Sequence, residues 1–272
     1  MYPIIFEGKS IGWINKKNKK QLEKILNKSF TESIDIKVLL SENKFIFRLI
    51  FNSLVKLDII ETTLDEECPV FNFDALNPKI NFNQTKFFGF KKIFNVHRSL
   101  LSYFGFPAYG VHCNGWKKIK NEYFFYLGKR SKKIMKFPGL FDNLIGGGQP
   151  SNLSLYKNLE KEGWEEAGIN KKTISNSKLE NIVNYCHSYN NQLSPSVMFI
   201  YNLNIKKNLK LKNRDGEIES FKCLSISEIF DLIEMKRIKP NSIIPIVSFI
   251  IKKNIKVFTQ NASKELKTLL KL

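Results

Sequence analysis

The chain has 272 residues, with Lys+Arg 44 against Asp+Glu 25, a formal charge of +19, and 43% apolar and 13% aromatic residues. That length and apolar content exclude a disordered chain and suit one large or two medium domains with a buried core. The charge favours anionic partners such as nucleotides, diphosphates, RNA or anionic lipid, but the basic residues are scattered rather than gathered with aromatics, so nucleic-acid binding is not expected.

Cys68, Cys113, Cys186 and Cys223 lie far apart without a CxxC. They form no zinc pattern and suit a reducing compartment. The first residues, Met1 to Glu7, lack a basic stretch followed by a long apolar core, and the longest apolar run, near Ile243 to Ile251, is too short to span a bilayer. A cytoplasmic protein without membrane contact is the expectation.

In chain order, Ile4-Ile5-Phe6 and Ile11 to Ile14 flank Glu7 to Ser10 as two short strands around a turn. Lys16 to Phe30 carries Leu22, Ile25 and Leu26 at helical spacing. Ile34 to Leu40 and Lys44 to Phe47 suggest strands, although Phe45 to Leu57 suits a helix equally. Phe71 to Phe73 reads as extended, and Lys91 to Phe104 as a helix with Ile93, Val96, Leu100 and Leu101 on one side. Phe104-Gly105-Phe106-Pro107 is a breaker cluster and the expected domain boundary. Beyond it, Tyr109 to Trp116 and Tyr123 to Leu127 read as strands, and Leu140 to Ile145 leads into a glycine turn. A helix is expected from near Leu153 to Ala167, stopped by Gly168. Leu179 to Tyr185, Val197 to Leu203 and Phe221 to Leu224 read as strands, with a turn at Asn213 to Gly216. Ser225 opens a helix to Met235 with Glu228 as capping-box partner, and Ile243 to Lys252 reads as a buried helix.

The segment after the glycine run holds the chemistry. Glu162, Glu165 and Glu166 stand at i, i+3 and i+4, on one helical face. Carboxylates so placed repel one another, and a divalent cation reverses that balance. Mg²⁺ and Mn²⁺ prefer carboxylate oxygen, and Mg²⁺ commonly bridges carboxylates to substrate phosphates. A solvated acidic face is the plain alternative.

With Gly147 as first glycine, residues Glu162, Glu165, Glu166, Gly168 and Ile169 fall in register with a Nudix box, G-x5-E-x7-R-E-U-x-E-E-x-G-U, and the chain resembles the Nudix hydrolases. Leu153 replaces the first Glu, Lys161 the Arg and Gly163 an apolar residue. In the family that Glu and Arg pair to position the helix, so their loss bears on helix support more than on metal binding. Gly163 costs a further ~1 kcal/mol relative to Ala in a helix. Gly110 to Trp116, Gly128 to Ser131, Lys133, Pro138-Gly139, Asp142-Asn143 and Asp215 to Phe221 resemble one branch, the thiamine pyrophosphokinase-related Nudix hydrolases, which carry an extra N-terminal domain and tolerate the Leu and Lys substitutions.

That resemblance implies an α+β fold: a small α+β N-terminal accessory domain over residues 1–106, then a Nudix α/β/α sandwich with a mixed sheet over 107–272. It implies an enzyme that cleaves the diphosphate linkage of a small molecule, thiamine diphosphate or its oxidised (oxo or oxy) analogues, to the monophosphate, with Mg²⁺ or Mn²⁺. Glu162, Glu165 and Glu166 would be metal ligands with the Gly147 carbonyl. Glu217 would be the further catalytic carboxylate, with Asp215 and Glu219 behind it. Lys129, Arg130 and Lys133 would meet phosphate, a solvated basic strand end being the alternative. The N-terminal segment would shape the pocket, support a homodimer, or both. The other reading is a Nudix-fold module that binds a phosphorylated ligand or RNA without cleaving it. An isopentenyl diphosphate isomerase is disfavoured, because Cys113 lacks the local motif of its catalytic cysteine. No GxxxxGK[ST] loop is present to support a kinase.

Overall fold

The structure is a computed structural model that describes residues 1–60, 65–76, 92–189, 191–205 and 209–272. The chain divides into two compact units. The first comprises Met1–Tyr109, Gln149–Ser154 and Asn184–Val197; the second comprises Gly110–Gly148, Leu155–Val183 and Met198–Leu272.

In the first unit, β1 (Tyr2–Phe6) pairs antiparallel with β2 (Lys9–Ile14) and parallel with β3 (Ile34–Asp35). Helix α1 (Lys16–Leu26) starts where the Asn15 side chain accepts the Asn18 N–H at 2.7 Å and buries Leu22. The strand expected over Ile34 to Leu40 stops after two residues. The Asp35 carboxylate accepts the Lys37 N–H at 2.8 Å and opens α2 (Ile36–Glu42), because an N-cap acceptor satisfies a free amide at a helix start. Of the two readings near Phe45, the helix is the observed one: α3 (Ile46–Lys56) buries Ile46, Phe47, Ile50 and Leu54 along one stripe.

The helix expected over Lys91 to Phe104 is two elements; Lys91 itself lies outside the described residues. Strand β5 (Lys92–His97) pairs antiparallel with β4 (Glu67–Phe71), and α4 (Arg98–Phe104) follows. His97 Nδ1 accepts the Ser99 N–H at the junction. Cross-strand pairing of Val96 with Cys68 decided the first half, which spacing within the segment could not reveal. Stacked and edge-on rings of Phe47, Phe94, Phe104 and Phe106 fill this core.

The second unit holds most of a seven-stranded sheet in the order β10-β11-β6-β7-β12, with β9 paired to β6 and β8 to β7; residues 108–109, 184–189 and 192–197 of its strands fall to the first unit. The strands are β6 (Ala108–Ile119), β7 (Glu122–Arg130), β8 (Phe141–Asp142), β9 (Ile145–Gly148), β10 (Lys178–Tyr189), β11 (Gln192–Asn204) and β12 (Ile218–Ser225). Its helices are α5 (Leu155–Ala167), the single turn α6 (Lys171–Ile174), α7 (Ile226–Glu234), α8 (Ile243–Lys252) and α9 (Gln260–Leu270). The capping box at Ser225 and Glu228 is present. Among the described residues no helix is long and apolar enough to cross a membrane.

Successive residues of a strand face opposite sides of the sheet, and β9 shows it. Ile145 and Gly147 face α5: a Cβ on Gly163 would meet Ile145 and Ile174, and one on Gly147 would meet Glu162. Gly146 faces away, against His112 and Asp142. On that side, Phe125, Leu127 and Leu224 pack with Ile229 of α7 and Ile246, Phe249 and Ile250 of α8. The fold is a mixed α+β arrangement with helices on both faces of the large sheet.

Candidate active site

The glycine run is not the turn expected from sequence. Residues Ile145–Gly148 form β9, antiparallel to β6, with Gly110 opposite Gly148, Val111 opposite Gly147 and His112 opposite Gly146. Gly110 has no side chain, and a Cβ there would stand 3.1 Å from the Gly147 carbonyl oxygen. Absence of Cβ atoms is what lets the backbone come this close.

Helix α5 lies on β9 and is tied to it from two positions two turns apart. Asn158 Nδ2 donates to the Gly148 carbonyl at 2.8 Å, and Glu166 Oε2 accepts the Gly146 N–H at 2.8 Å. These two bonds hold α5 against β9. Gly163 also finds its reason here. It is buried on the inner face of α5, and its Cβ would approach Ile174 Cδ1 to 2.8 Å and Ile145 Cδ1 to 3.1 Å. Helix propensity is given up for close packing on β9.

Glu162 rests against the Gly147 backbone, and burial, followed by the charges of Glu165 and Glu217, raises its carboxyl above the ordinary range in spite of Lys161. Glu166 is buried, and burial, then Asp142, then Glu162, lift it well above the ordinary range. Glu165 is more exposed. Lys161 Nζ bridges Glu162 Oε1 at 3.2 Å and Glu165 Oε2 at 2.8 Å. Burial would lower the Lys161 ammonium's pKa, but the bond to Glu165 and the charge of Glu162 outweigh it and raise it. Lys161 thus meets the charge of Glu162 and Glu165.

The loop ahead of β12 is fastened to the C-terminal end of α5. Lys212 N–H donates to Ala167 O at 3.0 Å and Arg214 N–H to Glu165 O at 2.8 Å, satisfying carbonyls that a helix end leaves free. The Arg214 guanidinium stacks 3.7 Å from the Trp164 ring centroid. Asn213 Oδ1 accepts the Gly216 N–H and Asp215 Oδ1 the Glu217 N–H. This turn presents exposed Glu217 within electrostatic reach of Glu162. Glu219 pairs with Lys129 at 3.4 Å, while Asp215 is taken up by its own turn.

The three basic candidates part company. Lys133 is exposed, Lys129 faces Glu219, and Arg130 is buried. Arg130 Nη1 pairs with Asp142 Oδ2 at 3.0 Å, and its Nε and Nη2 donate to the Lys136 carbonyl. Its guanidinium is used inside the unit.

A buried polar cluster has its centre at Asp142, which the sequence reading gave no role. It accepts from Arg130, from Lys239 at 2.8 Å, from Ser242 Oγ and from the Asn143 N–H. Burial pushes its carboxyl up, but Lys239 and His112 outweigh that and hold it far below the usual range. His112 Nδ1 contacts Asn143 Oδ1 at 2.9 Å; burial, then Lys239, pull its pKa down to about 4. Asn143 continues to Asn114 and the Ser242 carbonyl. The sequence signal was an Asp-Asn pair inside the apolar run Leu140 to Ile145, since a charge flanked by core residues must be paired. Trp116, partly buried, packs on Phe249.

Among the described residues no three His, Cys, Asp or Glu side chains are already grouped to hold a metal ion. The donor chemistry nonetheless fits a hard divalent cation. Every available donor is oxygen, the Gly147 backbone forms a cradle that a Cβ would fill, and fully buried Asn158, one turn before Glu162, has an Oδ1 without a partner.

No protein-family model matches the chain. It is similar to Nudix hydrolase 20, chloroplastic, of Arabidopsis thaliana, 33% identical over 158 residues, which are 58% of this chain and 42% of that protein. Nudix hydrolase 24, chloroplastic, of the same plant is 31% identical over 155 residues, 57% of this chain and 41% of that protein. The similarity supports the Nudix hydrolase family. The matched segment spans less than half the length of these two relatives. Among solved structures, a MutT/nudix family protein from Enterococcus faecalis aligns with a TM-score of 0.36 and 17% identity over 44% of each chain.

Proposed function

We propose that this protein is a Nudix hydrolase that cleaves a diphosphate linkage, with thiamine diphosphate or its oxo and oxy analogues as the substrate class and the monophosphate as product. The observation that carries the reading is the Glu162 carboxylate seated on the Gly147 backbone, with Glu165 and Glu217 within electrostatic reach of it. Glu162, Glu165 and Glu166, with the Gly147 carbonyl, would hold Mg²⁺ or Mn²⁺. Such a cation, when bound, neutralises the diphosphate and acidifies the attacking water.

The chain's own groups do the rest. Lys161 leaves Glu162 and Glu165 as they take up other partners. Lys129 and Lys133 meet the phosphate oxygens, Lys129 giving up Glu219. Glu217 accepts a proton from water as the new P–O bond forms, and the anhydride P–O bond breaks with the terminal phosphate leaving. Arg130 keeps the preceding strand end and loop in place rather than gripping phosphate.

The test is hydrolysis with and without Mg²⁺ or Mn²⁺, read as inorganic phosphate from thiamine diphosphate and its oxo and oxy forms, and as nucleotide products from ADP-ribose and dinucleoside polyphosphates. Metal-dependent release that collapses in Glu166→Gln is expected; full activity of that variant would sink the assignment. A second reading, a module that binds a phosphorylated ligand without cleaving it, is favoured by the Lys161 bridge, which already gives Glu162 and Glu165 a partner. Tight binding with no turnover on any of these compounds would select it.

A further inference from the structure

Nine non-glycine residues have positive φ among the described residues. Eight follow ordinary rules. Asn27, Asp58, Lys236, Asn254 and Lys271 end helices, and Glu7, Lys120 and Asn191 sit in hairpin turns. Phe137, at φ 53, does neither. It is a bulky aromatic in the left-handed region, where such residues are outliers. It also precedes Pro138, which favours extended backbone. Strain of this kind persists only where the surroundings impose it, and it gathers at sites that use it.

The surroundings here do impose it. The loop is closed at its base by Arg130 N–H to Leu140 O at 2.8 Å and Gly139 N–H to Arg130 O at 3.1 Å. From below, Arg130 Nε and Nη2 grip the Lys136 carbonyl at 3.3 and 3.2 Å, so the peptide entering Phe137 is fixed by a guanidinium that Asp142 holds in turn. The result is an aromatic ring driven outward: Phe137 is 45% exposed. Lys132, Lys133 and Lys136 of the same loop are exposed as well. The base of the loop joins the candidate site, since the Ser131 N–H donates to the Glu217 carbonyl at 2.8 Å.

We propose that the loop from Ser131 to Pro138 reads the organic half of the substrate, with Phe137 stacking on an aromatic or heteroaromatic ring and the neighbouring lysines meeting its phosphates. This deepens the hydrolase reading and rests on it for the identity of the reacting group. It makes Phe137 a specificity residue, and it selects diphosphates that carry a flat ring over those that carry an alkyl chain. A ring face on an aromatic side chain accepts many ring systems, so the selection is for class rather than for one compound.

The experiment compares thiamine diphosphate and ADP-ribose with an alkyl diphosphate, using wild type, Phe137→Ala, Phe137→Trp and Phe137→Gly. The ratio of kcat/KM for the ring-bearing compound over the alkyl one is expected to fall about tenfold in the Ala and Gly variants, through KM, as for loss of one stacking contact, and to survive in the Trp variant. Phe137→Gly is expected not to lower the thermal midpoint, because glycine adopts this backbone without strain. Equal effects on both substrate classes, or none, overturn the proposal. Calorimetric affinity for the same compounds reads the ring contact without turnover. A chain that binds without cleaving refutes the hydrolase reading yet still tests Phe137, and an unchanged ring preference in that measurement overturns the inference.

Discussion

The side chain of Glu162 lies so close to the backbone of Gly147 that a Cβ at 147 would stand 2.3 Å from Glu162 Cδ and 2.4 Å from its Cγ. Strand β9 and helix α5 meet at this point, and one added methyl pushes the carboxylate aside. Gly147→Ala is therefore expected to lower affinity for Mg²⁺ by at least about tenfold, the scale on which a displaced ligand or its support acts, while the fold is kept. Calorimetric titration with Mg²⁺ and a circular dichroism melt separate the two effects; unchanged Mg²⁺ affinity would refute the contact's role.

Glu162 and Glu166 have carboxyls raised above their ordinary values, first by burial. An acid whose folded pKa is raised favours the folded state below its unfolded pKa, and that stability is lost as pH rises toward the folded value. The metal-free protein is therefore expected to be destabilised by these two groups from about pH 4.5 upward. A divalent cation should raise the melting temperature more at pH 7.5 than at pH 5. Glu166→Gln keeps an acceptor for the Gly146 N–H, so it should stabilise the metal-free protein at neutral pH and shrink the Mg²⁺ effect. A Mg²⁺ shift that is the same at both pH values would contradict this.

His112 acts in the opposite sense. Its pKa is held down at about 4, first by burial. A depressed folded value gives stability that is present above the unfolded pKa and lost as pH falls through the folded one. Between about pH 6.5 and 4 this histidine is expected to withdraw ~3 kcal/mol. Denaturant unfolding of wild type and His112→Gln over that range should show a shallower acid limb in the variant.

Asp142 takes charge from two cations, buried Arg130 and partly buried Lys239, at 3.0 and 2.8 Å. Removing one partner of a buried pair leaves the other charge uncompensated, so Asp142→Ala is expected to cost about 3–5 kcal/mol. Arg130→Met should cost less than that, since Lys239 still pairs with Asp142. Urea midpoints for the two variants check the order.

Gly168 has φ +65, and a Cβ there would stand 2.7 Å from the Lys212 carbonyl. Gly168→Ala should destabilise by about 1–2 kcal/mol from backbone alone, and it should loosen the turn that presents Glu217. The expected result is a fall in kcat larger than the stability change explains, read by kinetics well below the melting temperature.

Sequence alone determined the elements whose signal is local. The three glutamates share a face because 3.6 residues make a turn, Gly168 stops α5, the Ser225–Glu228 box opens α7, and Ile243 to Lys252 is helical along its whole length. Tertiary structure decided what local spacing cannot encode. Ile145 to Gly148 became a strand because β6 lies alongside to receive its hydrogen bonds, and Lys92 to His97 extended because β4 pairs with it. Arg130 reads on the page as a phosphate grip, but a buried carboxylate twelve residues on drew it inward. Gly163 looked like a defect until Ile145 and Ile174 occupied the space its side chain would need. Helical faces and caps rest on bonds within a few residues. Pairing, burial and the sharing of charge depend on partners that the chain brings together only when it folds.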